Sequence, residues 1–254
     1  MKTIKELCKE IKGIYNIDGR DNTEITGISA DSRKIEKGFL FVCIAGVHVD
    51  GATFAGQAVE KGAVAVLTNK HLDLPLEITQ ITVPDIHAAL EDIVPYFYDY
   101  PGKKMRMIGV TGTNGKTTTS HIIAHILREA GYHVGVIGTI HALIDDKELE
   151  IHNTTPDVVE LQALLALMCA EGMDYVVMEV SSHALALNRV AGIEYDTAVF
   201  TNLTQDHLDF HKSFENYVAA KAKLFSGLTA EPPVKKNKTA VINIDDPHAD
   251  EILK

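Results

Sequence analysis

Cysteine is scarce in this sequence of 254 residues, which contains only Cys8, Cys43 and Cys169. Three widely separated cysteines give no basis for a disulfide framework, and free thiols suit a reducing compartment. No stretch approaches the roughly 18 uninterrupted apolar residues of a membrane-spanning helix, and the first residues lack the apolar core of a secretory signal. We therefore expect a cytoplasmic protein that does not insert into a membrane.

Positive charge is also in short supply, because 24 Lys and Arg stand against 35 Asp and Glu, for a net charge of −11. Such an acidic balance disfavours non-specific nucleic-acid binding, and we expect no nucleic-acid partner. The hydrophobic share of 46% and charged share of 23% are typical of soluble globular proteins and exclude disorder, collagen-like repeats and a membrane barrel. At about 150 residues per domain, the length allows one large domain or two ordinary ones.

Short apolar runs alternate with helical patterns along the first hundred residues. The predicted strands lie at 39–44, 63–67 and 78–83, and the predicted helices at 52–61 and 86–98, the second of them interrupted or kinked by Pro95. A Pro-Gly turn at 99–104 then predicts a domain boundary, with one domain over 1–100 and another over 105–254.

The second half repeats this alternation with longer apolar runs. Near-continuous apolar runs are typical of parallel strands that are buried on both faces. The order of elements predicts an α/β fold in which a mostly parallel sheet is flanked by helices. The predicted strands lie at 106–111, 134–137, 175–180, 197–201 and 239–244, and the predicted helices at 116–129 and 157–171.

Residues 109–119 read GVTGTNGKTTT and resemble a phosphate-binding loop between a strand and a helix. The strict pattern has a glycine where this chain has Val110, so the match is a variant anchored on Gly112, Gly115, Lys116 and Thr117. Glycines let backbone N–H groups converge on a phosphate at a helix N-terminus. Lys116 can reach the outer phosphates, and the Thr117 hydroxyl can bind Mg²⁺. We predict a nucleoside triphosphate site, most simply for ATP; the alternative is an ordinary strand-to-helix connection.

Acidic and histidine side chains follow two further predicted strands. Glu179 ends one strand, at the carboxyl edge where open α/β sheets bind ligands, and can hold Mg²⁺ beside ATP. The segment 201–211, TNLTQDHLDFH, follows the next strand and contains two Asp and two His. Such clusters often cap helices, but beside a phosphate loop a metal or phosphate role is favoured. His207 is an unusual Mg²⁺ ligand, so its partners must be rich in oxygen.

Six segments occur in the order known from one family. The chain resembles the Mur ligases, ATP-dependent amide-forming enzymes of peptidoglycan precursor synthesis, and within them the branch that adds the third residue of the stem peptide. The segments are DSRKIEKGFLFVCIAGVHVDG (31–51), GTNGKTTT (112–119), NTTPD (153–157), MEVSSHAL (178–185), NLTQDHLDFH (202–211) and YVAAKAKLF (217–225).

The resemblance implies a site for a UDP-linked muramoyl peptide. In the N-terminal domain, the positions that match uridine contacts are Ser32, Val47, His48 and Val49. In the central domain, the positions that match contacts to the muramoyl peptide and diphosphate are Asn153, Thr154, Thr155, Ser181 and Arg189. Family members often carry a polar residue where this chain has Leu187, so that contact is not carried over.

The resemblance also implies an ATP and Mg²⁺ site with an acyl-phosphate mechanism. The implied ATP contacts are Gly112, Thr113, Asn114, Gly115, Lys116, Thr117, Thr118 and, near the base, Asn243. The implied Mg²⁺ ligands are Thr117, Glu179, His207 and Lys221, the last as a carbamate formed with CO₂. The implied catalytic residues are Lys116, Glu179, His207 and Lys221.

Family members carry a third domain, which selects the incoming amino acid, commonly diaminopimelate or lysine. We expect these 254 residues to lack that domain, to bind the UDP substrate, to bind ATP weakly and to form little or no amide by themselves. A non-catalytic UDP-sugar-binding module is one alternative. A relative of folylpolyglutamate synthase is another, although the DSR segment and MEVSSHAL argue against it.

Overall fold

The computed structural model describes residues 1–45, 49–151, 153–229 and 235–253. The chain divides into two compact units, Met1–Asp99 and Tyr100–Lys254. None of the helices in the described ranges has the length and apolar character needed to cross a membrane.

The first unit contains a five-stranded sheet in the order β2-β7-β6-β5-β4, in which only β2 runs antiparallel to its neighbour. Thr3 and Glu6 form a capping box at the start of α1, a T-x-x-E signature that the sequence displays. The elements are β1 (Lys2–Thr3), α1 (Ile4–Glu10), β2 (Asn16–Asp18), β3 (Glu24–Ile25), β4 (Gly27–Ser29), β5 (Phe39–Val42), α2 (Ala55–Glu60), β6 (Ala65–Thr68), β7 (Thr79–Thr82) and α3 (Ile86–Phe97).

The second unit contains a seven-stranded sheet in the order β11-β10-β9-β12-β8-β13-β14. The strands from β9 to β14 in this order are parallel, and β10 and β11 form an antiparallel hairpin beside β9. The elements are α4 (Pro101–Lys104), β8 (Arg106–Thr111), α5 (Lys116–Glu129), β9 (Val134–Ile137), β10 (Ala142–Ile144), β11 (Lys147–Leu149), α6 (Val158–Ala170), β12 (Tyr175–Glu179), α7 (Ser182–Ala186), β13 (Thr197–Phe200), α8 (Leu208–His211), α9 (Phe214–Ser226), β14 (Thr239–Ile242) and α10 (Ala249–Ile252).

The central strands of this sheet are buried on both faces. Along β8, Met107 packs into one apolar cluster, whereas Ile108 and Val110 pack into the other, as the two-residue period of a strand requires. The predicted α/β class, with a mostly parallel sheet flanked by helices, is confirmed. The parallel arrangement also brings the carboxyl ends of β9, β12, β8 and β13 to one edge of the sheet.

Two local features differ from the sequence interpretation. The predicted turn after Asp99 is instead the one-turn helix α4, because Pro101 at its first position has a backbone angle already suited to a helix. The hairpin of β10 and β11 was not predicted, since its strands are only three residues long. In its turn Asp145 adopts a positive φ of 48°.

Candidate functional site

Two glycines shape the loop between β8 and α5. Gly112 has a φ of +150°, and a side chain there would collide with Thr201 Oγ1 and approach the Asn202 backbone. Gly115 has a φ of +81° at the N-cap of α5. Both conformations favour glycine over residues with a side chain, so the loop depends on its glycines for its shape.

Residues that follow β13 hold this loop in place. Thr201 Oγ1 donates to the Asn114 carbonyl at 2.7 Å, and the Asn114 N–H donates to Asn202 Oδ1 at 3.0 Å. The Thr113 N–H donates to the Asn202 carbonyl at 2.8 Å. These two amides are engaged within the protein, whereas the first N–H groups of α5 have no partner within the helix and can bind a phosphate.

Two lysine amines converge on one carbonyl oxygen of the loop. Lys116 Nζ donates to Gly112 O at 3.0 Å and to Thr113 O at 2.9 Å, while Lys221 Nζ donates to Gly112 O at 2.8 Å. Lys221 is 1% exposed. Burial, followed by the nearby charge of Lys116, lowers the Lys221 pKa to about 7, and burial also lowers the pKa of Lys116. A substantial fraction of Lys221 therefore carries a neutral amine near pH 7.

Glu179 is a buried carboxylate, 1% exposed, at the end of β12. Thr117 Oγ1 and the Thr139 N–H donate to its Oε1, both at 2.9 Å, and Thr139 Oγ1 donates to Oε2 at 3.1 Å. All these hydrogen-bond donors are neutral, and the nearby cation is the Lys116 ammonium, whose pKa the Glu179 charge raises against the effect of burial. Carboxylate and hydroxyl oxygens are ligands that Mg²⁺ prefers, and this pair fits such an ion.

Other metal ligands are not assembled around this pair. The described residues contain no group of three or more His, Cys, Asp and Glu able to hold a metal. His207 is the N-cap residue of α8 and has a φ of 52°; its exposed ring lies 3.5 Å from Asp206 and packs edge-on against the ring of His183. Within the described ranges no hydrogen bond or ion pair joins His207 to Glu179 or Lys221.

The segment after Asn153 lies against the Glu179 end of β12. Thr155 Oγ1 donates to the Glu179 carbonyl at 3.0 Å and accepts from the Ser181 N–H at 3.1 Å. Arg189 Nη1 donates to the Thr155 carbonyl at 3.3 Å, and Thr154 Oγ1 lies 3.2 Å from Thr139 Oγ1. Thr154, Thr155, Ser181 and Arg189 are thus brought together, whereas Asn153 is exposed.

The remaining predicted positions have separate surroundings. Asn243 follows β14, and its Nδ2 donates to Thr201 O at 2.8 Å, beside the residues that hold the glycine loop. Thr118 is exposed on α5. In the first unit, Ser32 is buried and donates to Gln57 Oε1 at 2.9 Å, and Val49 is exposed. Val47 and His48 lie outside the described residues.

Sequence reasoning assigned no role to three residues that the structure places at the site: Thr139, Asn202 and Tyr217. Thr139 comes shortly after β9 at the carboxyl edge of the sheet, a position that could have been a signal. Tyr217 OH lies 2.9 Å from Thr113 Oγ1, and Lys221 Nζ lies 4.6 Å from the centre of its ring. Asn202 and Tyr217 lie in the family-like segments 202–211 and 217–225. The residue pattern of these segments does not indicate that they contact the glycine loop.

The glycine loop at the carboxyl end of β8, followed by a helix that opens with Lys116 and Thr117, defines the class of phosphate-loop α/β proteins. Residues 110–254 match the family profile "Mur ligase middle domain", and residues 24–98 match "Mur ligase family, catalytic domain". The chain belongs to the Mur ligase family.

Curated relatives agree with this assignment. The chain is 48% identical to a UDP-N-acetylmuramoyl-L-alanyl-D-glutamate–2,6-diaminopimelate ligase of Syntrophomonas wolfei, over 100% of this chain and 50% of the relative. It is 47% identical to the protein of the same name from Bacillus cereus, over 92% of this chain and 48% of the relative. The chain therefore spans about half the length of the curated relatives it matches.

Solved structures show the same fold. A structure of a UDP-N-acetylmuramoyl-L-alanyl-D-glutamate–2,6-diaminopimelate ligase matches with a TM-score of 0.75 and 31% identity, covering 99% of this chain and 49% of that one. MurF from Acinetobacter baumannii matches with a TM-score of 0.71 at 22% identity, covering 98% of this chain and 50% of its own. The second likeness concerns the fold alone.

Proposed function

We propose that this chain binds ATP and the UDP-linked substrate in a ligase that joins 2,6-diaminopimelate to UDP-N-acetylmuramoyl-L-alanyl-D-glutamate. The names of relatives at 47–48% identity support the choice of substrates. The observation that carries the proposal is the convergence of Lys116, Lys221 and the Thr117–Glu179 pair around one glycine loop.

In this proposal the loop and the start of α5 bind the ATP phosphates. Lys116 exchanges its two carbonyl contacts for anionic phosphate oxygens, which form stronger charge-assisted hydrogen bonds. Thr117 binds the metal, and Asn243 lies near the base. The full proposed set of ATP contacts is Gly112, Thr113, Asn114, Gly115, Lys116, Thr117, Thr118 and Asn243.

The proposed reaction has two balanced steps. A substrate carboxylate oxygen bonds to the γ-phosphorus of ATP while the bond from that phosphorus to the bridging oxygen breaks, which gives an acyl phosphate and ADP. The incoming amine then bonds to the acyl carbon, the carbon–oxygen bond to phosphate breaks, and the nitrogen loses a proton. Mg²⁺ supplies charge neutralisation at the phosphates, and its proposed ligands are Thr117, Glu179, His207 and carbamylated Lys221.

Lys221 becomes an oxygen ligand in this proposal by reacting with CO₂. The neutral amine nitrogen bonds to the carbon of CO₂ and loses a proton, so that a cation is replaced by a carbamate anion. The lowered pKa of about 7 supports this step, because only the neutral amine has the lone pair that the bond needs. Replacing the ammonium with an anion also removes its repulsion by Lys116.

Each unit is proposed to contain its own set of contacts for the UDP-linked substrate. Ser32, Val47, His48 and Val49 would contact the uridine end. Arg189 offers a guanidinium suited to two-point binding of an anion, and hydroxyls beside it supply neutral donors. The proposed contacts of the second unit are Asn153, Thr154, Thr155, Ser181 and Arg189.

The proposal is tested by titration calorimetry with Mg·ATP and, separately, with UDP-N-acetylmuramoyl-L-alanyl-D-glutamate. Both ligands are expected to bind. Lys116→Met should weaken Mg·ATP by about tenfold or more, since a hydrogen bond to a charged group contributes about 1.5–3 kcal/mol. The control Lys104→Met, at an exposed position on α4, should bind as the unchanged chain does.

Three outcomes would contradict the proposal or a part of it. A chain that binds the UDP-linked substrate but gains no thermal stability from Mg·ATP would be a UDP-sugar-binding module, because a ligand stabilises the state that it binds. Stabilisation by folate would instead indicate a relative of folylpolyglutamate synthase. Equal Mg·ATP affinities for Lys116→Met and the unchanged chain would exclude the assigned role of Lys116.

A further inference from the structure

The carboxylate of Glu179 is held at both oxygens by a residue to which the proposed function gives no role. The Thr139 N–H donates to Oε1 at 2.9 Å, and the Thr139 hydroxyl donates to Oε2 at 3.1 Å. Gly138 completes this cradle, because a side chain at that position would collide with Glu179 Oε1. Thr139 is therefore placed to fix the direction in which the carboxylate points.

Thr139 also contacts the segment proposed to bind the UDP-linked substrate. Its Oγ1 lies 3.2 Å from Thr154 Oγ1, and either hydroxyl taken alone could be the donor. An ionised carboxylate only accepts hydrogen bonds, so the single hydroxyl proton of Thr139 is directed to Glu179. Thr154 must then be the donor to Thr139, which gives the chain of hydrogen bonds one direction.

Thr155, which follows Thr154 in the 153–157 segment, contacts the main chain of Glu179. Thr155 Oγ1 donates to the main-chain carbonyl of Glu179 at 3.0 Å. Two consecutive threonines therefore reach the same residue, Thr155 at the backbone and Thr154 through Thr139 at the carboxylate. This arrangement ties the position of the 153–157 segment to that of the carboxylate.

We propose that Thr154, Thr139 and Glu179 form a directed hydrogen-bond relay in which Thr139 is the positioning residue for the Mg²⁺-binding carboxylate. The inference rests on the proposed function, which makes Glu179 a ligand of Mg²⁺ and Thr154 a substrate contact. Outer partners that orient a ligand contribute to metal affinity without touching the metal. The relay links the substrate segment to the metal site, and each site is expected to change the affinity of the other by the same factor.

The test measures Mg²⁺ affinity by titrating Mg²⁺ into the intact chain at a fixed concentration of ATP. Thr139→Val removes the hydroxyl and keeps both the N–H and the branched shape. We expect Mg²⁺ affinity to fall about tenfold, the lower end of the range for such partners, because the N–H contact remains. Thr139→Ser keeps the hydroxyl and should restore most of the affinity.

Thr239→Val is the matched control, since Thr239 is an exposed threonine at the start of β14. It should leave Mg²⁺ affinity unchanged. Thr139 is itself exposed, and the melting temperature of Thr139→Val should stay close to that of the unchanged chain. If that variant nevertheless fails to fold, Thr154→Val carries the test, because it preserves both Thr139 contacts to Glu179.

A double-mutant cycle separates a relay from two independent effects. Thr154→Val alone should lower Mg²⁺ affinity by less than Thr139→Val does. The double variant should be no weaker than Thr139→Val, because Thr154 reaches the carboxylate through Thr139. The relay would be overturned if the losses of Mg²⁺ affinity in the two single variants were additive in the double variant. It would also be overturned if Thr139→Val bound Mg²⁺ as tightly as Thr239→Val does. Neither result would contradict the proposed function. If the unchanged chain shows no Mg²⁺-dependent binding of ATP, the proposed function and the relay are both overturned.

Discussion

Lys221 lies in the interior of the second unit, where its amine donates to the Gly112 carbonyl and faces the Tyr217 ring. Its sequence context on α9 resembles that of any lysine on an amphipathic helix, and only the family motif singled it out. Burial and the Lys116 charge lower its pKa to about 7 from the ordinary value of 10.5. This residue therefore titrates differently in the folded and unfolded chains.

The pH dependence of stability checks this difference. Between about pH 7 and 10.5 the unfolded chain holds the Lys221 proton and the folded chain does not, so stability rises with pH. Below about pH 7 both states are protonated and the contribution is constant. Relative to Lys221→Met, the unchanged chain should gain up to about 1.4 kcal/mol per pH unit in this window.

Urea unfolding in CO₂-free buffer between pH 6 and pH 10 would measure this gain. Lys223→Met is the control, because Lys223 is an exposed lysine on the same helix and its loss should leave the pH profile of the unchanged chain intact. Parallel stability curves for Lys221→Met and the unchanged chain would show that the Lys221 pKa is not lowered.

At the scale of the elements, the connection from β8 to α5 depends on close backbone approach at Gly112. We expect Gly112→Ala to destabilise the second unit by about 1–3 kcal/mol, because the left-handed φ and the contact with Thr201 and Asn202 both resist a side chain. Gly227→Ala is the control, since Gly227 has open space around it and a helical φ of −62°. Thermal unfolding would compare Gly112→Ala with Gly227→Ala, and equal melting temperatures for the two variants would contradict the requirement for glycine at position 112.

Long apolar elements were the ones that could be predicted. The strands β8, β9, β12 and β13 and the helix α5 follow from their apolar runs and from the glycines at their ends. The hairpin of β10 and β11 could not be predicted, because three-residue strands give too short a pattern for periodicity. The same limit applies to the short strands β2, β3 and β4 in the first unit. These strands pair with β7, β1 and β5, respectively.

At the scale of the whole molecule, the described contacts of the proposed ATP site lie within one unit. The unit Tyr100–Lys254 contains the glycine loop, the residues that hold this loop, both lysines and Glu179. We therefore expect a fragment of residues 100–254 to fold and to bind Mg·ATP with the affinity of the full chain. Circular dichroism would check its folding, and calorimetry its affinity.

The fragment of residues 1–99 serves as the matched comparison. It should show cooperative unfolding and no response to Mg·ATP, because none of the proposed phosphate or metal contacts belongs to it. A fragment of residues 100–254 that folds but loses ATP affinity would contradict the assignment of the whole ATP site to this unit.

The sequence by itself determined the α/β class, the glycine loop and the family, because each depends on patterns that are local along the chain. Only the tertiary structure decided which of these segments meet. Thr139 and Glu179 are 40 residues apart, and Gly112 and Lys221 are 109 apart, yet each pair shares a hydrogen bond. The strand order β9-β12-β8-β13 brings the ends of distant segments to one sheet edge, and no periodicity within a single segment encodes that order.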